Sequence, residues 1–229
     1  MLEYESPPIN PSMASRIVIK LGGGLITDKS SMKKFDSDSM ERVADSISSV
    51  VEMGVPIVLV HGAGSFGHLL AKEWSISEGV DQKIAEEQRM IVDEIRSDMR
   101  ELNGLVIDKL ADSELESEGL PPSEWAIGTG SDFQGDIANF ERVVEAPIPI
   151  TFGDVVNTND QLEFGILSGD DLMVRLSREL LVFKASQRTR MPSVPTSLLD
   201  RSRLFKDLLT FKEILAENSG PGMNRPEGS

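Results

Sequence analysis

The apolar positions of this chain fall into short continuous runs and longer helical stripes that alternate. Residues 16–21, Arg-Ile-Val-Ile-Lys-Leu, are rich in β-branched side chains and end on Gly22-Gly23-Gly24, which predicts a short buried strand running into a glycine loop. Over residues 37–53, Met40, Val43, Ala44, Ile47, Val50 and Val51 recur at helical spacing, and Gly54 marks the stop. Pro56 opens a second apolar strand, Ile57-Val58-Leu59-Val60, which enters His61-Gly62-Ala63-Gly64-Ser65-Phe66-Gly67-His68. Helical patterns follow to about Lys72 and over residues 81–111, and residues 112–135 read as an acidic, glycine-containing loop. Residues 147–151 are extended, and residues 153–167 read as a β-hairpin turning at Asn157-Thr158-Asn159-Asp160. Ser168 then caps a helix, with Asp171 three residues on, as in a capping box. That helix is expected to end near Leu180, and Leu181-Val182-Phe183 to form another strand. Alternating short strands and helices argue for an α/β fold, with a mainly parallel sheet covered on both faces.

Three divisions follow. Residues 1–14 are an N-terminal extension barred from regular structure by Pro7, Pro8 and Pro11, with Met13 a candidate start. Residues 15–183 form the main domain, and residues 184–229 a C-terminal segment of different character. Residues 184–212 hold seven bases and two acids, net +5, whereas the whole chain of 229 residues carries −15. The acidic balance argues against a nucleic-acid surface as the main function. The absence of cysteine removes disulfide, thiolate-metal and cysteine-nucleophile chemistry. No apolar run reaches the roughly 18 residues of a membrane span, and the first residues lack the basic and apolar regions of a secretory signal. A cytoplasmic protein is the default expectation.

The candidate chemistry lies in the two glycine loops. Each follows a strand and precedes a helix, so its backbone N–H groups and the helix dipole favour an anion. Two such loops at neighbouring strand ends would hold a donor and an acceptor phosphate side by side. A single loop would be read as a tight turn. Residues 62–67 also satisfy Gly-x-Gly-x-x-Gly, so a dinucleotide oxidoreductase is a competitor. The acids about 20 positions on, Glu86 and Glu87, lie in a helical pattern and not at a strand end, which weakens it.

Lys20, at the strand end, points toward the first loop, and Lys29 is a second candidate cation. The two histidines of the chain, His61 and His68, bracket the second loop. His68, in the first turn of the following helix, is placed to donate to a phosphate, and His61 is read as structural. Asp154 and Asp170 each follow a glycine. Asp154 is open between a binding and a turn role, and Asp170 would orient Lys20 through a charge-assisted hydrogen bond.

Residues 19–29, 60–68, 152–156 and 166–172 resemble, in order, the motifs of isopentenyl phosphate kinase, of the amino acid kinase superfamily. The His-Gly-Ala-Gly-Ser-Phe-Gly-His block is the specific one, shared with the related fosfomycin kinase. The resemblance implies an open αβα sandwich, usually a homodimer. It implies transfer of the ATP γ-phosphoryl group to isopentenyl phosphate, with Mg²⁺ arriving on ATP. By motif position, Lys20, Gly22, Gly23, Gly24, Lys29, Ser168 and Gly169 hold the ATP phosphates. Gly62, Ala63, Gly64, Ser65, Gly67, His68, Gly153 and Asp154 serve the acceptor. Lys20, His68 and Asp170 carry the chemistry. Helices over residues 69–76 and 81–100 would line the acceptor's apolar tail, with Ile84, Met90 and Ile91 as candidates.

The sequence departs from the pattern in three places. Gly24 stands where many relatives have Ser, and Ala63 replaces a Gly. After residue 183 the expected Asp-Gly loop and the later Asp-x-Thr-Gly-Gly block are missing, which predicts an incomplete nucleotide-binding part. The alternatives are therefore an impaired or truncated relative that binds a phosphate ligand or partner, and a kinase for another small phosphate or phosphonate such as fosfomycin.

Overall fold

Ile17–Leu21 forms the first strand, β1, of a parallel sheet. The computed structural model describes residues 16–28 and 31–187. A single turn, α1 (Gly23–Ile26), and the helix α2 (Ser37–Glu52) follow, then β2 (Ile57–His61), α3 (Gly64–Glu73) and the long α4 (Ala85–Asp112). After α4 come β3 (Ser117–Gly119), α5 (Pro122–Trp125), β4 (Ala126–Ile127) and β5 (Gln134–Gly135). Then β6 (Ile148–Phe152), β7 (Asp154–Asn157), β8 (Phe164–Leu167) and α6 (Gly169–Gln187) complete the order. The main sheet runs β1-β2-β6-β3, parallel throughout, and a smaller sheet runs β5-β4-β7-β8.

Side-chain alternation divides the core. Along β2, Ile57 and Leu59 face the cluster built with α2, α3 and α4, while Val58 and Val60 face the cluster built with α6. All five residues of β2 are buried, as expected of a central parallel strand covered on both faces. The stripe on α2 is the predicted one: Met40, Val43, Ala44, Ile47 and Val50 are buried. Its first turn is held by Asp36, whose carboxylate accepts from the Ser39 N–H at 2.9 Å. Those bonds hold the Asp36 carboxyl below its ordinary value.

Two local expectations are corrected. The predicted strand at 181–183 is helical, because α6 continues without a break from Gly169 to Gln187. Nothing between Gly169 and Pro192 breaks a helix, so the apolar triplet extends α6, and the boundary at 183 falls inside it. Residues 112–135 are not one loop: they hold β3, α5, β4 and β5. The extension 1–14, Lys29 and the basic segment from residue 188 onward lie outside the described residues. Among the described residues, no helix is long and apolar enough to cross a membrane.

Candidate active site

The C-terminal ends of β1, β2 and β6 stand level, with Leu21 opposite His61 and His61 opposite Phe152. Two further backbone bonds carry the pairing past the strands, Gly62 N–H to Leu21 O and Gly153 N–H to His61 O, each 3.0 Å. Three glycine-bearing turns are thereby set side by side.

The first two turns pack backbone against backbone. A Cβ on Gly23 would lie 2.3 Å from Gly64 N and 2.6 Å from Gly64 Cα. Gly64 itself has φ +53°, and a Cβ there would meet Thr27 Oγ1 at 2.1 Å. Glycine is needed at both positions, one for contact and one for backbone conformation as well. Thr27 fastens the joint: its buried hydroxyl donates to Gly23 O at 2.7 Å and accepts the Ser65 N–H at 3.0 Å. The strap after Thr27 lies on the same helix start, with Lys33 N–H on Ser65 O and Lys34 N–H on Ser65 Oγ. Lys33 also pairs with Asp98, a carboxylate of α4 that is only 4% exposed.

The fourth predicted block arrives through β8. Ser168 and Asp171 form the expected capping box: Asp171 N–H donates to Ser168 Oγ at 3.1 Å, and the Ser168 hydroxyl donates to Asp171 Oδ2 at 2.6 Å. Gly169 thus sits at the start of a 19-residue helix, where the dipole favours negative charge. Lys20 crosses beside Gly169, since a Cβ on that glycine would lie 3.5 Å from Lys20 Cε. Its ammonium meets Asp170 Oδ1 at 2.6 Å. Asp170 is 82% exposed and Lys20 32% exposed, so this pair faces solvent at the cleft.

The two histidines differ in burial. His61 is fully buried, stacked on Phe152 with ring centroids 4.9 Å apart. Its Nδ1 is 3.2 Å from Gly62 O and its Nε2 3.2 Å from Asn103 Oδ1. Burial pushes the imidazole down to about 4, outweighing both contacts, so it is neutral at physiological pH. His68 is exposed. It is the fifth residue of α3 and therefore stands in the second turn, not the first, because the helix begins at Gly64. In a helix the Cα–Cβ bond leans toward the N-terminus, so the base of the His68 side chain tilts back toward the loop.

Asp154 is buried at 3% exposure. Its carboxylate accepts from Ser123 N–H at 3.2 Å and Val155 N–H at 2.8 Å. Desolvation raises its pKa despite those bonds and the nearby Arg96. Its hydrogen bonds serve the turn into α5, so of the two roles left open by sequence the turn role has the observed geometry. Arg96 holds the other side of that hairpin, donating to Val155 O at 2.8 Å and Asn157 Oδ1 at 2.9 Å. Of the apolar-tail candidates, Met90 is 73% exposed and Ile84 37% exposed, while Ile91 packs on the core. Gly22, Gly24, Ala63 and Gly67 lie on the two loops and the helix starts beside them. Thr27, Asn103 and Lys33 with Asp98 were not singled out from sequence; their partners are 38, 42 and 65 positions away.

The arrangement sets two packed glycine turns, two helix starts and a lysine side by side. Residues 15–182 match the Amino acid kinase family. Among curated relatives, isopentenyl phosphate kinase of Methanocaldococcus jannaschii is 28% identical over 203 residues, 83% of this chain and 77% of the relative. That of Methanothermobacter thermautotrophicus is 31% identical over 170 residues, 72% of this chain and 63% of the relative, which is less than two thirds of its length. That of Haloferax volcanii is 31% identical over 182 residues, 79% of this chain and 71% of the relative. A solved isopentenyl phosphate kinase superposes with a TM-score of 0.66 at 30% identity, covering 72% of this chain and 68% of that one. With four motif blocks meeting beside the C-terminal ends of β1, β2 and β6, the chain belongs to the amino acid kinase family, on its isopentenyl phosphate kinase branch.

Proposed function

We propose that the chain transfers the γ-phosphoryl group of ATP to isopentenyl phosphate, giving isopentenyl diphosphate and ADP. The observation that carries this reading is the backbone contact between the Gly23 and Gly64 turns, with Lys20 at their edge. Donor and acceptor phosphates bound to adjoining turns are within reach of each other. An acceptor phosphate oxygen attacks the γ-phosphorus as the bond to the β–γ bridging oxygen breaks, and ADP carries away that oxygen's charge. The protein's part is positioning and positive charge. Lys20 offsets charge on the transferring group, Asp170 steers Lys20, and exposed His68 donates to the acceptor phosphate. Lys29 would add a second cation.

Magnesium fits as a passenger on the nucleotide. Among the described residues no group of three or more His, Asp or Glu forms a metal cage. The exposed Asp170 carboxylate beside Lys20 is a hard oxygen donor suited to MgATP, whose phosphates and waters supply the other ligands. The bound ion would shield the negative charge of the phosphates. We also expect a homodimer, as the resemblance implies, and a cytoplasmic location as the default that the sequence composition suggests.

The test is ATP turnover dependent on isopentenyl phosphate, followed by a coupled ADP assay with the diphosphate product identified by mass spectrometry. His68→Ala is expected to lower kcat/KM about 100-fold, the scale of one lost donor to a developing charge. Pure folded protein that binds isopentenyl phosphate yet never turns over would reduce the chain to a phosphate binder.

A further inference from the structure

Beneath the second glycine loop lies a side chain that the reaction scheme above does not use. His61 is the last residue of β2, fully buried, and its backbone is fixed on both sides by β1 and β6. Its ring lies flat on Phe152, with an interplanar angle of 24°. Ring nitrogens at each end reach a polar group, Gly62 O and the Asn103 amide.

The proton count on this ring is constrained. Gly62 O is only an acceptor, so the contact at Nδ1 is satisfied by Nδ1–H. A neutral imidazole then has a bare Nε2, which requires a donor. Asn103 supplies one if its amide is turned end over end, placing Nδ2 where Oδ1 is drawn. Its outer amide atom makes no hydrogen bond among the described residues, so the turn breaks none. Asn103 is itself 6% exposed, and the pair is closed off from water.

Holding Gly62 O has a consequence one atom further along. No peptide bond in the described chain is cis. In a trans peptide the carbonyl and the next N–H point in opposite directions. A Gly62 carbonyl drawn toward the buried ring turns the Ala63 N–H outward, and no hydrogen bond from that N–H is formed among the described residues. The neighbouring Gly62 N–H is already taken by Leu21 O. Among the described residues, the Ala63 amide is therefore a free donor of the loop; the Gly64 N–H also lacks a hydrogen bond, but it packs against Gly23.

We propose that His61 is a positioning residue, whose Nδ1–H holds the Gly62 carbonyl and thereby aims the Ala63 N–H at the acceptor phosphate, with Asn103 fixing the tautomer from behind. The proposal rests on the kinase reading for the identity of the acceptor, but not for the geometry.

Two substitutions divide the ring's functions. An asparagine amide nitrogen falls near the position of Nδ1, and a glutamine amide nitrogen near that of Nε2. His61→Asn is expected to keep KM for isopentenyl phosphate within about three-fold of the parent, while His61→Gln raises it at least ten-fold with a smaller change in kcat. Equal KM values in both variants, or a worse His61→Asn, would overturn the proposal. A measurement on the unaltered protein covers the case in which a variant fails to fold. Imidazole ¹⁵N shifts should show His61 protonated at Nδ1 and bare at Nε2, and titration with inorganic phosphate should move the Ala63 amide resonance. The opposite tautomer, or an unmoved Ala63 amide at saturating phosphate, overturns it. If the parent protein does not phosphorylate isopentenyl phosphate, the kinase reading fails on that assay, and the tautomer and amide shift still decide this one.

Discussion

At the scale of single residues, the site depends on groups whose charge is set by surroundings. His61 titrates near 6.5 when the chain is unfolded and at about 4 in the fold. Between those values the unfolded chain holds a proton that the folded chain refuses, so stability falls as pH drops from 6.5 toward 4. At pH 5 the loss from this group alone is about 2 kcal/mol, at 1.36 kcal/mol per pKa unit. Urea unfolding of the parent should weaken from pH 7 to pH 5 by that much more than His61→Asn does. Identical pH dependence in the two would mean His61 is not held neutral. Asp154, raised by burial, contributes in the opposite direction, gaining stability as it protonates, but it is common to both proteins and drops out of the difference. These residues also mark the limit of reading sequence. Asp170 was expected to meet Lys20, and does, at 2.6 Å. The pattern of the chain holds no trace that His61 meets Asn103, or that one oxygen of Asp154 accepts from Ser123. Both partners lie in elements whose placement follows from packing.

At the scale of elements, the strand–turn–helix units were legible because each begins with a short β-branched run and ends on glycine. The parallel register that levels β1, β2 and β6 turns two separate loops into one cleft, and local sequence does not encode a register between distant strands. The triplet 181–183 shows the opposite failure: apolar residues suit a strand or a buried helix equally, and continuation from α6 decided it. The contact between the two loops is tight enough to test. Gly23→Ala would drive a methyl into the Gly64 backbone, whereas Gly22→Ala meets nothing within 4 Å. Gly23→Ala should cost about 1–3 kcal/mol by overpacking and lower kcat/KM, with Gly22→Ala close to the parent in thermal denaturation. Equal melting temperatures for the two would show that the loops are not in contact.

At the scale of the molecule, the fold gathers four sequence blocks to one end of the sheet and leaves a net charge of −15 on the chain as a whole. Anionic substrates therefore meet a repelling body, and in the proposed site local attraction would come from backbone donors, helix starts, Lys20 and His68. The Lys20–Asp170 pair that guards the cleft joins residues 150 positions apart. Contacts so distant in sequence require the largest loop closures and form late. A chain emerging from the ribosome completes β1 and both glycine turns long before Asp170 exists to restrain the lysine. In refolding followed by pulsed hydrogen exchange, the amides of α2 and α4 should gain protection before the hydrogen-bonded amides of Gly62 and Ser65, and early protection of those two would contradict this order. The phosphate cleft is thus a product of the finished chain, and partly synthesised protein has no organised place to bind the cell's ATP.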